Sequence, residues 1–152
     1  MKNIRFVIFG IILLWNLGNF VQALALLNKS FLFAYPILKP TYHLVCHQET
    51  AKLIHLFGTT TLLCARCTGI YIGGLLGIAV LLFYRRSIDF PTKYLLYSSI
   101  PMFLDVGLVL LGIYQYSKSI AFLTGALLGS VGIVYLVELI EKFLSQNRSS
   151  AE

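Results

Sequence analysis

The sequence predicts an all-α membrane protein with four transmembrane helices and a long extracytoplasmic loop between the first and second. Three observations point there. Of 152 residues, 58% are hydrophobic and only 12% charged, about half the charged share of a water-soluble domain. Mean hydropathy is +0.82. The apolar residues fall into four runs near the length that a bilayer demands, about 20 residues per helical crossing.

The first run covers 4–27, the second 64–83, the third 94–113 and the fourth 120–140. Long Leu/Ile/Val stretches without period-2 alternation favour helices over barrel strands. The second run starts at Thr68 unless Leu62 to Cys67 extends it. The first run also reads as a signal peptide, with Lys2 and Arg5 ahead of it and "ALA" at Ala23–Ala25 as a cleavage site. Its apolar stretch is longer than such segments usually are, so an uncleaved helix is expected. The whole chain, 1–152, reads as one membrane domain.

The net charge of +6 does not predict nucleic-acid binding, because the basic residues sit at the ends of apolar runs. With the N-terminus inside, one side holds Lys2, Arg5, Arg85, Arg86, Lys93, Lys142 and Arg148. The other holds Lys29, Lys39, Lys52, Arg66 and Lys118. The cluster at Arg85, Arg86 and Lys93 occupies a short loop, where the positive-inside rule has most force. Both termini are therefore expected in the cytoplasm of a multi-pass cell-membrane protein.

The connection 28–63 is then an extracytoplasmic or re-entrant loop. Pro36 and Pro40 oppose a continuous helix in it, Tyr35 and Tyr42 suit an interface, and "HLVCHQETAKLIHLFG" reads as a short amphipathic helix on the membrane. His43 and His55 read as polar-face residues there.

All three cysteines, Cys46, Cys64 and Cys67, fall in one window, and His47 adjoins the first. Cys-x2-Cys offers two soft donors on one turn, and a separate stretch of chain brings more, as in zinc sites. The expected ligands are Cys46, His47, Cys64 and Cys67, with Asp105, His43 or water as another fourth donor. Zinc or another thiophilic transition metal is the expected cofactor. Redox chemistry is the alternative. Cys64 and Cys67 would form the active pair, Cys46 the exchange thiol, and a quinone the electron acceptor. Arg66 between the thiols would help ionise them. A plain structural disulfide is the third reading.

Asp105 lies inside the third run, where an acid costs about 2.5–3.5 kcal/mol. It should face the bundle interior, where a cation or Arg66 would offset that cost. It should also lie within reach of the thiols, directly or through His47, Tyr71 or water. Gly69, Gly73 and Gly77 recur every four residues in the second helix, as do Gly125 and Gly129 in the fourth. Small residues at this spacing let membrane helices approach closely. They predict a contact between those helices, and they also offer faces for a homo-oligomer.

"CHQ", "LFG", "CARCTGIYIGGLLG", "PMFLD" and "FLTGALLG" together resemble a family of small prokaryotic integral membrane proteins classed as a domain of unknown function. The likeness runs from about Tyr42 to Gly129. It implies a membrane domain of about four helices carrying a Cys/His cluster, and it brings no activity with it. Relatives often have a polar or basic run after the Pro-x-x-x-Asp motif, where this chain reads "VGLVLLGIYQYSKS".

Overall fold

The computed structural model describes residues 2–83 and 91–149. The expected basic loop at Arg85–Arg86 lies outside them. Six α-helices and one β-hairpin follow in the order α1 (Lys2–Asn19), α2 (Val21–Leu27), α3 (Tyr35–His43), β1 (Leu53–Leu56), β2 (Thr59–Cys64), α4 (Ala65–Phe83), α5 (Thr92–Leu110) and α6 (Lys118–Ser149). Helices α4, α5 and α6 are long and apolar enough to cross a membrane. The bent pair α1 and α2 makes a fourth span if it is counted as one.

The first apolar run is therefore not one straight helix, because it turns by 75° between Asn19 and Val21. Polar side chains anchor the turn. Asn19 accepts from the Leu63 backbone N–H at 2.8 Å and donates to Thr68 Oγ1 at 3.1 Å. Gln22 accepts from both the backbone N–H and the hydroxyl of Thr60. A buried amide in an apolar setting is costly unless bonded. These bonds draw α2 across the end of the bundle and onto β2.

The loop 28–63 is more ordered than its composition suggests. Pro36 and Pro40 do not exclude a helix: α3 carries Pro36 in its first turn, where no N–H partner is lost, and Pro40 inside it. The expected amphipathic helix over "HLVCHQETAKLIHLFG" is replaced by a loop, a 3-10 turn at Thr50–Lys52 and strand β1. Strands β1 and β2 pair antiparallel, with Leu53 opposite Cys64 and Leu56 opposite Thr59. Phe57 and Gly58 between them both have positive φ, 50° and 77°. That is the backbone of a two-residue hairpin turn whose twist matches the strands.

Helices α4 and α6 form the tightest contact. A Cβ on Gly69 would collide with the Phe122 carbonyl, one on Gly73 with Ala126 backbone, and one on Gly77 would come within 2.6 Å of the Ser130 carbonyl. From the other side, Gly125 lies against the Arg66 carbonyl and Gly129 against that of Ile70. The two glycine faces meet each other inside one chain.

Helix α5 ends in a Schellman motif. Ile113 N–H bonds to the Leu108 carbonyl and Gly112 N–H to that of Val109, with Gly112 at φ +70°. This ends the helix and turns the chain back through Tyr114 and Tyr116 to α6. With 32 residues, α6 is about 48 Å long and extends beyond a hydrocarbon core of about 30 Å.

The polar contacts lie at opposite ends of the bundle. Near the start of α1, Arg5 forms a two-pronged pair with Glu141 at 2.7 and 2.8 Å and donates to the Leu81 carbonyl. The first residues of α1, the last of α4 and the last third of α6 therefore share one end. The other end holds the cysteines, packed with Val21, Tyr42, Leu62 and Leu63 and bordered by Trp15, Leu38 and Tyr71.

Candidate metal centre

Cys64 occupies the joint between β2 and α4 and so stands at the helix N-cap, with Cys67 one turn on. Strand and helix meet sharply here because Leu63 is held by Asn19 and its carbonyl accepts from Thr61 and Thr68. An N-cap side chain receives the free backbone N–H groups of the first turn, and the helix dipole favours negative charge there. The Cys64 thiol is accordingly lowered to about 5. The Cys67 thiol contributes most, burial works against it, and the backbone N–H groups of Cys67 and Arg66 and the Cys46 thiol add to it. The N-cap position thus favours the thiolate form of Cys64, the form that binds metal.

Cys46 arrives from the turn after α3, its N–H bonded to the Tyr42 carbonyl at 3.0 Å. The Tyr42 ring is buried against Trp15, with centroids 4.5 Å apart, and its hydroxyl donates to the Trp15 carbonyl at 2.5 Å. α3 is thereby pinned to α1. The Cys46 sulfur in turn accepts from the Cys64 backbone N–H at 3.3 Å. All three sulfurs lie within 4.8 Å of one another, and all three cysteines are free thiols. Tetrahedral zinc–sulfur bonds of about 2.3 Å require sulfurs about 3.8 Å apart, so small rotamer adjustments bring the three onto one ion.

His47 does not join them. Cys46 is buried whereas His47 is exposed, because consecutive side chains in this turn point apart. His43 and His55 are exposed as well.

Asp105 is buried on α5 and also stays outside the sulfur cluster. One of its oxygens pairs with Arg66 Nη2 and the other accepts from the Tyr114 hydroxyl. Asp105 therefore connects to the thiols through Arg66, the residue between Cys64 and Cys67. Tyr71 packs beside the sulfurs with its ring 5.8 Å from that of Trp15.

Sequence reading missed several positioning residues. Asn19, Thr68 and Gln22 hold the strand–helix corner, and Asn16 donates to the Tyr71 carbonyl at 3.1 Å. Amides inside an apolar run were the available signal. Tyr116 was also missed. The Arg66 guanidinium lies 5.8 Å and the Lys52 amine 5.6 Å from its ring centroid. Burial first, then the nearby Cys64 charge, pushes its hydroxyl up to about 12, with Arg66 opposing.

Residues 46–135 match the model of a family described as predicted membrane protein, DUF2085. An uncharacterised protein of Methanocaldococcus jannaschii is 34% identical over 105 residues, 67% of each chain. No solved structure matches. The chain belongs to this DUF2085 family of membrane proteins.

Proposed function

We propose that this member of the family holds a thiophilic transition-metal ion, zinc being the first candidate, on Cys46, Cys64 and Cys67. The observation that carries the reading is the convergence of three free sulfurs from two separate places in the chain, the turn after α3 and the β2–α4 corner. A thiol in an apolar bundle can serve as plain filler. Filler does not explain a sulfur on a helix N-cap, nor a second one brought to it by the Trp15–Tyr42 contact. Arg66 and Tyr71 flank the donors, and Asp105 steadies Arg66. The basic-residue pattern favours an extracytoplasmic position for the centre, with both termini cytoplasmic. Elemental analysis of protein purified without chelators tests the proposal. About one equivalent of metal per chain is expected. Less than a tenth of an equivalent, with three alkylatable thiols, overturns it.

A second reading rests on a different observation. An apolar groove of about 630 Å³, lined by Ile8, Ile12, Tyr71, Leu95 and Ile133 among others, lies between α1, α4, α5 and α6. Through Tyr71 it reaches the residues packed on Cys67. A membrane quinone in that groove would accept two electrons and two protons from Cys64 and Cys67, leaving a disulfide and a quinol. Mass-tagging of thiols in cells separates the readings. A metal centre keeps all three thiols reduced, whereas a relay shows a Cys64–Cys67 disulfide that responds to quinone depletion.

A further inference from the structure

The three sulfurs supply three of the four donors that zinc takes, and a protein site with three ligands is the pattern that admits a water or substrate. The fourth donor does not come from the expected residues, since His47 is exposed and Asp105 lies outside the sulfur cluster. Two hydrogen-bond donors nearby lack partners. Arg66 Nε and the Tyr116 hydroxyl oxygen are both buried with no hydrogen-bond partner among the described residues. Leaving such a group unpaired costs about 1–3 kcal/mol. Both belong to one contact, the guanidinium stacked on the Tyr116 ring. Arg66 stands between two of the sulfur donors, and the Tyr116 ring lies against it.

The side chains around the donors are net positive. Lys52 lies over the other part of the same contact. Lys118 donates to the carbonyl of Leu53 at 2.7 Å, and Leu53 is the residue opposite Cys64 in the hairpin. Among the described residues, these two lysines and Arg66 pair with two carboxylates, Asp105 on Arg66 and Glu49 on Lys52. The surplus of one positive charge balances the one net negative charge of a divalent ion on three thiolates, so an incoming anion would be held by the metal and the hydrogen-bond donors rather than by surplus charge.

We propose that the centre binds a small carboxylate from outside the chain as its fourth ligand. One carboxylate oxygen goes to the metal, and the other accepts from Arg66 Nε and the Tyr116 hydroxyl. A carboxylate suits the geometry better than water. A water oxygen has two lone pairs and cannot meet the metal and both donors together, whereas a carboxylate has about four acceptor sites. The inference rests on the metal reading above.

The test uses the full chain in detergent, loaded with Co²⁺ and titrated with acetate. A sulfur-to-cobalt charge-transfer band reports the thiolate site. Acetate is expected to shift the visible d–d bands saturably. Tyr116→Phe, which keeps the ring and removes only the hydroxyl, is expected to weaken acetate binding by about tenfold, the effect of one charge-assisted hydrogen bond. Arg66→Lys, which keeps the charge for Asp105 but loses Nε, should do the same. In both variants the charge-transfer band persists. A band that is present but blind to acetate, or that answers acetate equally in Tyr116→Phe, overturns the carboxylate site and leaves the metal centre standing. Absence of the band overturns both.

Discussion

The bundle carries an arginine–carboxylate pair at each end, buried at one and part-buried at the other, and the two differ in how completely the arginine is used. At one end Arg5 gives Nε and Nη2 to Glu141 and Nη1 to the Leu81 carbonyl. At the other, Arg66 gives Nη2 to Asp105 while its Nε is buried without a partner among the described residues. A fully bonded pair in an apolar interior fastens elements together: Arg5 ties α1 to α4 and α6. A partly bonded pair beside three thiols keeps donor capacity for something else. Similar residue chemistry therefore supports two readings, a clasp and a site, and hydrogen-bond accounting separates them.

The largest expected effect falls on the sulfur end alone. Cys46→Ser, Cys64→Ser and Cys67→Ser should each reduce bound metal to below a tenth of an equivalent, read by elemental analysis. The helical far-ultraviolet signal should persist, because the α4–α6 glycine contact does not involve the thiols. Metal retained at full occupancy in any one variant would take that cysteine out of the ligand set.

The clasp should respond in the opposite way. Glu141→Gln removes the carboxylate that takes two of the Arg5 hydrogen bonds, and breaking a buried pair costs about 3–5 kcal/mol. Thermal unfolding in detergent is expected to show a large loss of stability with metal content per folded chain unchanged. The double change Arg5→Met with Glu141→Leu should recover much of that loss. If the single variant loses metal in proportion, the two ends are not independent.

Asp105→Asn tests the link between Arg66 and the sulfurs. A residue that orients the surroundings of a metal typically changes affinity by about 10–100-fold when it is altered. Chelator competition should show a loss in that range. Combined with Cys64→Ser the change should add little, because members of one site act non-additively. Additive losses, or an affinity equal to the parent's, would reduce Asp105 to a packing hydrogen bond.

The smallest expected effects concern the glycines. Gly73→Ala places a methyl group on Ala126 backbone and should cost about 1–3 kcal/mol, as overpacking does. Gly10→Ala has nothing within 4 Å of the new methyl and should stay within about 0.5 kcal/mol. Thermal unfolding of the two variants side by side checks the difference.

Some of this was legible in the residues themselves. Run length and hydropathy marked α4, α5 and α6, because crossing a bilayer is a condition on local composition. The clustering of Cys46, Cys64 and Cys67 was visible because it is a matter of residue type and spacing. The 75° turn after Asn19, the hairpin 53–64 and the place of His47 were not visible. Each depends on partners far along the chain: Leu63 and Thr68 for Asn19, Thr60 for Gln22, Trp15 for Tyr42. A strand such as Thr59–Cys64 has no local signature strong enough to override an adjoining apolar run, and an exposed histidine beside a buried cysteine reads in one dimension as a neighbouring ligand. By itself the sequence determined which segments must leave water and which atoms can bind a soft metal, since both follow from composition. Only the tertiary structure decided which of those atoms meet and which donors near them stay unpaired, because hydrogen-bond partners are chosen by folding across distance.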